Sequence, residues 1–304
     1  MNKVVITGST GFVGSSLVKY LLKKKFKVAV IVRENSNLYN LKEILDDLKV
    51  FKYDNDLENL ISFFNEYNPK LVFHLASNFK AEHEFNQVDS LVQSNISFGL
   101  HILEAMKETG VKHLINTGTS WQHYNNEDYN PVCLYAATKQ AFESLIEYYV
   151  QAEGFRAITL KLFDTYGEND KRPKLINLLN KFADEKKELN MSLGNQPLNL
   201  VHINDVCNAF FIAGEELNQK DFIGHKKYAV SNEKYYKIKE VISLYEDVSG
   251  DKIDIIWGGR AYRKREVMVL WNKGKKLQKW TAKISLEEGL KRLYNHRKLN
   301  EFNQ

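Results

Sequence analysis

The sequence predicts an α/β fold: a doubly wound parallel sheet followed by a smaller mixed α/β part. Three observations carry that expectation. Short, continuously apolar runs alternate with longer runs whose apolar residues recur at helical spacing, the pattern of strands covered on both faces by crossover helices. The first apolar run leads directly into a glycine-rich turn, Gly8 to Gly14. The alternation holds to about residue 165 and weakens beyond it.

Taken in order, Lys3 to Thr7 is a β-branched strand, and from Phe12 the period changes. Phe12, Val13, Leu17, Val18, Leu21 and Leu22 share one helical face, with Lys19 and Lys23 to Lys25 elsewhere. Further strands are expected at Lys27 to Val32, Lys49 to Lys52, Leu71 to Leu75, His113 to Asn116 and Ala157 to Leu162. Helices are expected over Leu57 to Glu66, Ser94 to Glu108 and Leu134 to Ala152. Later helical stretches at Leu175 to Phe182, Val206 to Ala213, Ile238 to Val248 and Ser285 to Leu293 are separated by polar loops and a short strand at Leu198 to His202. The expected division is a dinucleotide-binding domain over 1–165, with 199–217 returning to it, and a substrate-binding domain over 166–198 and 218–304.

Composition bounds the rest. With 304 residues, 43% of them hydrophobic and 12% aromatic, the chain can bury one large core or two smaller ones, which excludes disorder and coiled coil. Lys and Arg number 43 against 38 Asp and Glu, a net +5 that is too even for a nucleic-acid groove. Two cysteines, Cys133 and Cys207, supply neither a disulfide framework nor a structural zinc site, and no metal is expected. No run approaches the ~20 apolar residues of a membrane span. A strand starting at Lys3 leaves no room for a signal peptide, so a reducing cytoplasm is expected.

Gly8, Gly11 and Gly14 form G-x-x-G-x-x-G between a buried strand and an amphipathic helix. Elsewhere such a triplet would be an ordinary turn. In that context, glycines let backbone N–H groups approach a pyrophosphate, and the first helical turn adds its partial positive charge. The second strand ends Val32-Arg33-Glu34. Val32 cannot accept from a ribose 2′-hydroxyl, whereas Arg33 can pair with a 2′-phosphate, so NADP(H) is the expected cofactor; Glu34 keeps NAD open.

Tyr135 and Lys139 stand at i and i+4 on one helical face. Alone, the pair would read as a core tyrosine and a surface lysine. Following a dinucleotide loop and a strand ending Asn116-Thr117-Gly118-Thr119, it suggests an acid/base phenol whose pKa of ~10 is lowered by a neighbouring ammonium.

Together these motifs identify a resemblance, over nearly the whole chain, to the extended short-chain dehydrogenase/reductases that act on nucleotide sugars. It rests on Thr7 to Gly14, Asp54, His74-Leu75-Ala76-Ser77, Asn95, Thr117 to Thr119 and Tyr135 to Lys139. It continues through Leu162 to Gly167, Val201 to Val206, Lys279-Trp280 and Ile284 to Leu290. The resemblance implies a Rossmann-type sheet with a smaller substrate domain, and a catalytic set of Thr119, Tyr135 and Lys139. Tyr135 would exchange a proton with the sugar oxygen, Thr119 would hydrogen-bond that oxygen, and Lys139 would also hold the nicotinamide ribose. Cofactor contacts would come from Gly8, Thr10, Gly11, Phe12, Val13, Gly14, Arg33, Asp54, Leu75, Ala76, Ser77, Asn95, Thr117 and Phe163. His202 with Asp205 is expected to fix a loop.

Departures from the family pattern narrow the reaction. The Asp-Glu pair of the family's 4,6-dehydratases is replaced by Ser120-Trp121, so no elimination is expected. Leu198 stands where relatives often carry an arginine for the substrate diphosphate, leaving Arg172 and Lys174, or Arg260, Arg263 and Arg265, to supply that charge. Ser120, Trp121, Gln122, Asp164, Arg172, Lys174 and Arg265 are the expected substrate contacts. The pattern is most similar to the 4-ketoreductase branch of the CDP-abequose and CDP-paratose synthase type. This implies NADPH-dependent reduction of a nucleotide-linked 4-ketodeoxyhexose, such as a CDP-4-keto-3,6-dideoxyhexose, in deoxysugar supply for polysaccharides such as O-antigen. The same residues would serve a nucleotide-sugar 4-epimerase with tightly held NAD; a non-catalytic NADP sensor is the reading from another class. A homodimer through the Ser94 to Glu108 and Leu134 to Ala152 helices is expected, with Phe142, Leu145, Ile146 and Tyr149 on outer faces.

Overall fold

The computed structural model describes residues 2–302, with 300–302 as helical backbone. In chain order the first half contains β1 (Lys3–Thr7), α1 (Phe12–Lys23), β2 (Lys27–Arg33), β3 (Leu48–Tyr53), α2 (Leu57–Tyr67), β4 (Leu71–His74), α3 (Val88–Val92), α4 (Phe98–Glu108), β5 (His113–Thr119), α5 (Leu134–Glu153) and β6 (Arg156–Leu162). The second half contains β7 (Asp164–Tyr166), α6 (Leu175–Glu185), β8 (Leu189–Met191), β9 (Pro197–Leu198), β10 (Leu200–His202), α7 (Ile203–Leu217), β11 (His225–Val230), β12 (Tyr236–Lys237), α8 (Ile238–Ser249), β13 (Ile255–Trp257) and α9 (Leu286–Phe302).

Among the described residues a seven-stranded sheet runs in the order β11-β6-β5-β4-β1-β2-β3, every pairing parallel. Alternation along the strands divides its two cores. Val4, Ile6, Val28, Val30 and Phe73 pack under α1 and α7, while Val5, Ala29, Ile31 and Val72 pack under α2, α4 and α5. Local chemistry sets the helix ends: the Asp56 carboxylate accepts from Glu58 N and Asn59 N at the start of α2, and Gly154 ends α5 at φ 67°. A third core joins α6, α8 and α9 through Ile176, Leu179, Val241, Ile242, Leu286 and Leu290.

Four features differ from the sequence expectation. His225–Val230, placed with the substrate part, is the seventh strand of the main sheet, paired to β6 from His225↔Ala157 to Val230↔Leu162. Leu277 and Trp280 likewise enter the core beneath α7, where the Trp280 indole donates to Asp205 O at 2.9 Å. The reason is an open sheet edge at β6 that only this later chain covers. The helix expected from Ser94 begins at Val88 and passes through a π-helical turn, Gln93–Ser97, before α4. Finally, Phe142, Ile146 and Tyr149 are not an outer face: they are buried in the chain's own second core, with Leu145 partly buried against it, and Tyr148 is the exposed aromatic on α5.

Candidate functional site

The carboxyl ends of β1 and β4 are bound to one another. Thr7 Oγ1 accepts from Leu75 N at 3.2 Å and Ala76 N at 3.1 Å, so its own proton goes to His74 Nδ1 at 3.0 Å. Burial, with the nearby charge of Lys139, pushes the His74 imidazole down to about 3 and holds it neutral. Above this junction Gly8 turns at φ +69°, and a Cβ there would lie 2.6 Å from Ala76 N. A Cβ on Gly14 would lie 2.1 Å from Gly8 O. Side chains are therefore excluded where the turn crosses the strand ends. The helix α1 follows the N-cap Gly11 with no side-chain cap, leaving its first-turn N–H groups without a side-chain partner where Gly11 to Gly14 line the cleft.

The cleft has a volume of about 790 Å³ and is lined on one side by Gly8, Gly11 to Gly14, Leu75, Ser77, Thr117 and Thr119. From the other side come Ser120, Trp121, Phe163, Asp164, Arg172 and Lys174. Tyr135 also lines it, edge-on to Phe79 at 5.0 Å, with Phe79 in turn 5.5 Å from Trp121. Burial pushes the Tyr135 phenol up to about 12, outweighing a hydrogen bond with Ser77 and the charge of Arg172. In this structure the phenol is thus raised rather than lowered as expected from the Tyr-Lys spacing. Lys139 is 1% exposed and its Nζ has no hydrogen-bond partner; burial pulls it down to about 8 against the opposing charge of Glu143. Thr119 caps the following turn, accepting from Trp121 N at 3.2 Å.

Several expected contacts sit elsewhere. Asn95 is fully buried, its amide donating to Asn78 O and Thr138 Oγ1 while its carbonyl accepts from Asn78 N at 2.7 Å and from Ser77 Oγ. It ties the loop after β4 to α5 and has nothing left for a cofactor. Gln122, expected at the substrate, is also fully buried, bonded to Thr119 N, Gln140 and Glu143. Arg265 donates to Asn130 and lies 4.2 Å over the Tyr124 ring, outside the cleft lining. Arg263 takes the cleft position instead, 5.2 Å over Trp121 and paired with Glu266 at 2.8 Å, and Arg260 joins it in the lining. Arg172 is held by Asp170 at 2.7 Å and by Thr165, and lies over Phe12; Lys174 pairs with Asp164 at 3.3 Å. Arg33 is exposed at the end of β2, and Thr10 lends its carbonyl to Asn40 at 2.9 Å. Asp54 is exposed and already accepts from Asp56 N and Asn59 Nδ2. His202 accepts from Asn204 N, and Asp205 Oδ2 accepts from Lys283 N and Ile284 N, both fixing chain rather than facing ligand.

Sequence reading passed over His123 and Trp271, which stack at 3.9 Å with ring planes 9° apart, and Trp271 also lies 6.2 Å from Phe163. They are brought together by a paired docking of Asn126 and Asn272, 146 positions apart in the chain. No local pattern signals such a contact.

A nicotinamide dinucleotide fits what is present: a cradle with no room for Cβ atoms, open helix N–H groups, and two partnerless polar atoms, Lys139 Nζ and Thr117 Oγ1. The phenol's environment has a direct readout. The ultraviolet difference between the protein and its Tyr135→Phe variant, without cofactor, should show no phenolate step below about pH 10, the ordinary tyrosine value. A step near neutrality would contradict a burial-dominated phenol.

Comparison with known proteins agrees with this geometry. Residues 4–224 match the family model described as the NAD dependent epimerase/dehydratase family. A CDP-abequose synthase of Yersinia pseudotuberculosis is 26% identical, aligned over 88% of this chain and 90% of that protein. A UDP-glucuronate 4-epimerase of Thermodesulfobacterium geofontis is 28% identical over 99% of this chain and 97% of the other. The crystal structure of a UDP-glucose 4-epimerase from Stenotrophomonas maltophila, with bound NAD and formylated UDP-arabinopyranose, superposes with a TM-score of 0.87 at 17% identity, covering all of both chains. The chain belongs to the NAD dependent epimerase/dehydratase family, the extended short-chain dehydrogenase/reductases that modify nucleotide sugars.

Proposed function

We propose that this protein is an NADPH-dependent reductase of a nucleotide-linked 4-ketodeoxyhexose, with a CDP-linked 3,6-dideoxy sugar as the substrate that best suits it. The carrying observation is a phenol lining the cleft that the glycine turn opens, one helical turn from a buried lysine whose Nζ has no hydrogen-bond partner. The phenol keeps its proton at neutral pH, and a cationic lysine one turn away favours the phenolate left when that proton passes to a ketone.

In this reading Tyr135 donates its proton to the carbonyl oxygen, Thr119 hydrogen-bonds the same oxygen, and Lys139 holds the ribose next to it. The bound reduced nicotinamide supplies the hydride. Phe79 and Trp121 offer an aromatic wall to the deoxygenated carbons of the sugar, and Arg172, Lys174, Arg260 and Arg263 offer charge to its diphosphate. No carboxylate follows Thr119, where Ser120 and Trp121 stand, so the acid/base pair for losing water is missing. The likeness to CDP-abequose synthases supports the reductase and its base. Residues 1–165 together with α7 and β11 would hold the dinucleotide, and the α6, α8 and α9 core would carry the sugar nucleotide.

A second reading, a nucleotide-sugar 4-epimerase retaining NAD, is favoured by the 28% identity to a UDP-glucuronate 4-epimerase and by Glu34, which could accept from a ribose hydroxyl. Cofactor use separates the two. With NADPH and a CDP-4-keto-6-deoxyhexose, with or without the 3-hydroxyl, reduced nicotinamide should be consumed one for one with ketone. Tyr135→Phe should lower turnover about 10²- to 10⁴-fold while NADPH still binds. Full activity of that variant removes the mechanism; no NADPH consumption, together with interconversion of C4 epimers by protein carrying its own NAD, moves the assignment to the epimerase.

The exposed Arg33 at the end of β2, with Val32 buried beside it, supports NADP over NAD. Arg33→Ala should weaken NADPH roughly tenfold or more and leave NADH affinity unchanged, measured by direct titration. Equal losses for both would assign Arg33 to something other than the 2′-phosphate.

A further inference from the structure

Beneath the catalytic helix lies a group of buried charges that the proposed chemistry does not use. Glu143 follows Lys139 by one turn and Tyr135 by two, on the same face of α5, and is 1% exposed. Its Oε1 accepts from Gln122 Nε2 at 2.7 Å, and Gln122 Oε1 accepts from Thr119 N at 2.9 Å. The end of β5 is pressed against both: a Cβ on Gly118 would stand 3.0 Å from Gln122 Oε1 and 3.0 Å from Glu143 Oε1. The other oxygen, Oε2, makes no hydrogen bond and faces Lys161 Nζ at 3.4 Å and Lys227 Nζ at 4.0 Å.

We infer that Glu143 is a positioning residue of the active site, fixing the Thr119 turn through Gln122 and supplying the negative charge that keeps Lys139 an ammonium beneath the bound nicotinamide ribose. The second half rests on the reading of Lys139 given above. The neighbours leave that charge to Glu143. From α5 itself Lys139 has no partner; from β6 and β11 come two further cations, Lys161 and Lys227. His74 on β4 and His123 in the loop after β5 are both pushed down by burial and by adjacent lysines, so they are neutral. His123 Nε2 lies 2.8 Å from Lys161 Nζ and accepts from it, with its Nδ1 proton directed to Glu127 O at 3.0 Å. Glu147 turns instead to His225, 3.3 Å away at the β11 edge and likewise held low by burial. Two lysines therefore lie within 4.0 Å of one buried carboxylate, with Lys139 a helical turn away on the same face and under its charge. A buried ammonium without a counter-charge sheds its proton, and the opposing charge of Glu143 already limits how far burial lowers Lys139.

The test uses NADPH itself as probe, titrated against the intact protein by its own fluorescence between pH 6 and 10, in the working range of a lysine held near 8. Removing a negative neighbour lowers a lysine pKa, so the alkaline limb of affinity should move to lower pH. In Glu143→Gln the amide still accepts from Gln122, which isolates the charge. That limb should move down by about one pH unit, and the high-pH limb of turnover should move with it. Because Glu143→Gln leaves Lys161 uncompensated, the double variant Glu143→Gln, Lys161→Met keeps the cluster balanced and covers a single variant too unstable to fold. It should show the same lowered limb. Superimposable binding curves for the unaltered protein and both variants would overturn the inference. A double variant that regains the original curve would also overturn it, since Glu143 would then answer to Lys161 alone. Absent turnover with normal pH-dependent NADPH binding would count against the proposed ketone substrate and leave the Glu143 result readable. Failure of the unaltered protein to bind any nicotinamide nucleotide would bring down both.

Discussion

The closeness of β1 to β4 at their carboxyl ends is the constraint from which the cleft follows. Thr7 binds two backbone N–H groups of the opposite strand end, and the Gly8 turn above it has no space for a side chain. The sheet order reverses at this pair, β2 and β3 lying to one side and β5, β6 and β11 to the other. Open parallel sheets form their crevice at such a reversal. The uncapped start of α1, the Thr117–Thr119 end of β5 and Phe163 beyond β6 all converge on it. A side chain at residue 8 would meet the backbone of Leu75 and Ala76, and one at residue 14 the backbone of Gly8 and Ser9, so either would disturb the junction.

Buried polar groups then set the chemistry. The imidazoles near the site, His74 and His123, are held neutral and serve as hydrogen-bond carriers, while the buried charge beside α5 lies in Lys139, Lys161 and Glu143. Burial raises the Tyr135 phenol and lowers the Lys139 ammonium, so two groups that would titrate close together in water are driven apart. This arrangement leaves the phenol as an acid. It also leaves the lysine as a cation whose charge depends on its surroundings.

The parallel sheet, the glycine turn and the Tyr135-Lys139 pair were legible because each is encoded locally: by period, by three glycines between a strand and a helix, and by i,i+4 spacing. What was not legible depends on contacts between distant segments. His225–Val230 carries the exposed lysines Lys226 and Lys227 in its first half and joins the sheet at the free edge that β6 offers. Asn95 and Gln122 carry polar groups next to the site, but a π-helical turn and the Glu143 carboxylate draw them inward. Arg263 and Arg265 lie two positions apart in an irregular segment with no periodicity, so sequence could not say which one faces the cleft.

In the proposed reduction a hydride moves permanently from NADPH to a sugar carbon. The most direct measurement is to supply NADPH carrying deuterium on the transferable face of nicotinamide C4, together with the CDP-4-keto sugar, and to locate the label in the product by NMR. One deuterium at sugar C4 for each NADPH oxidised is the expected result. Label retained on the nicotinamide, with no net oxidation and inversion at C4, would contradict it.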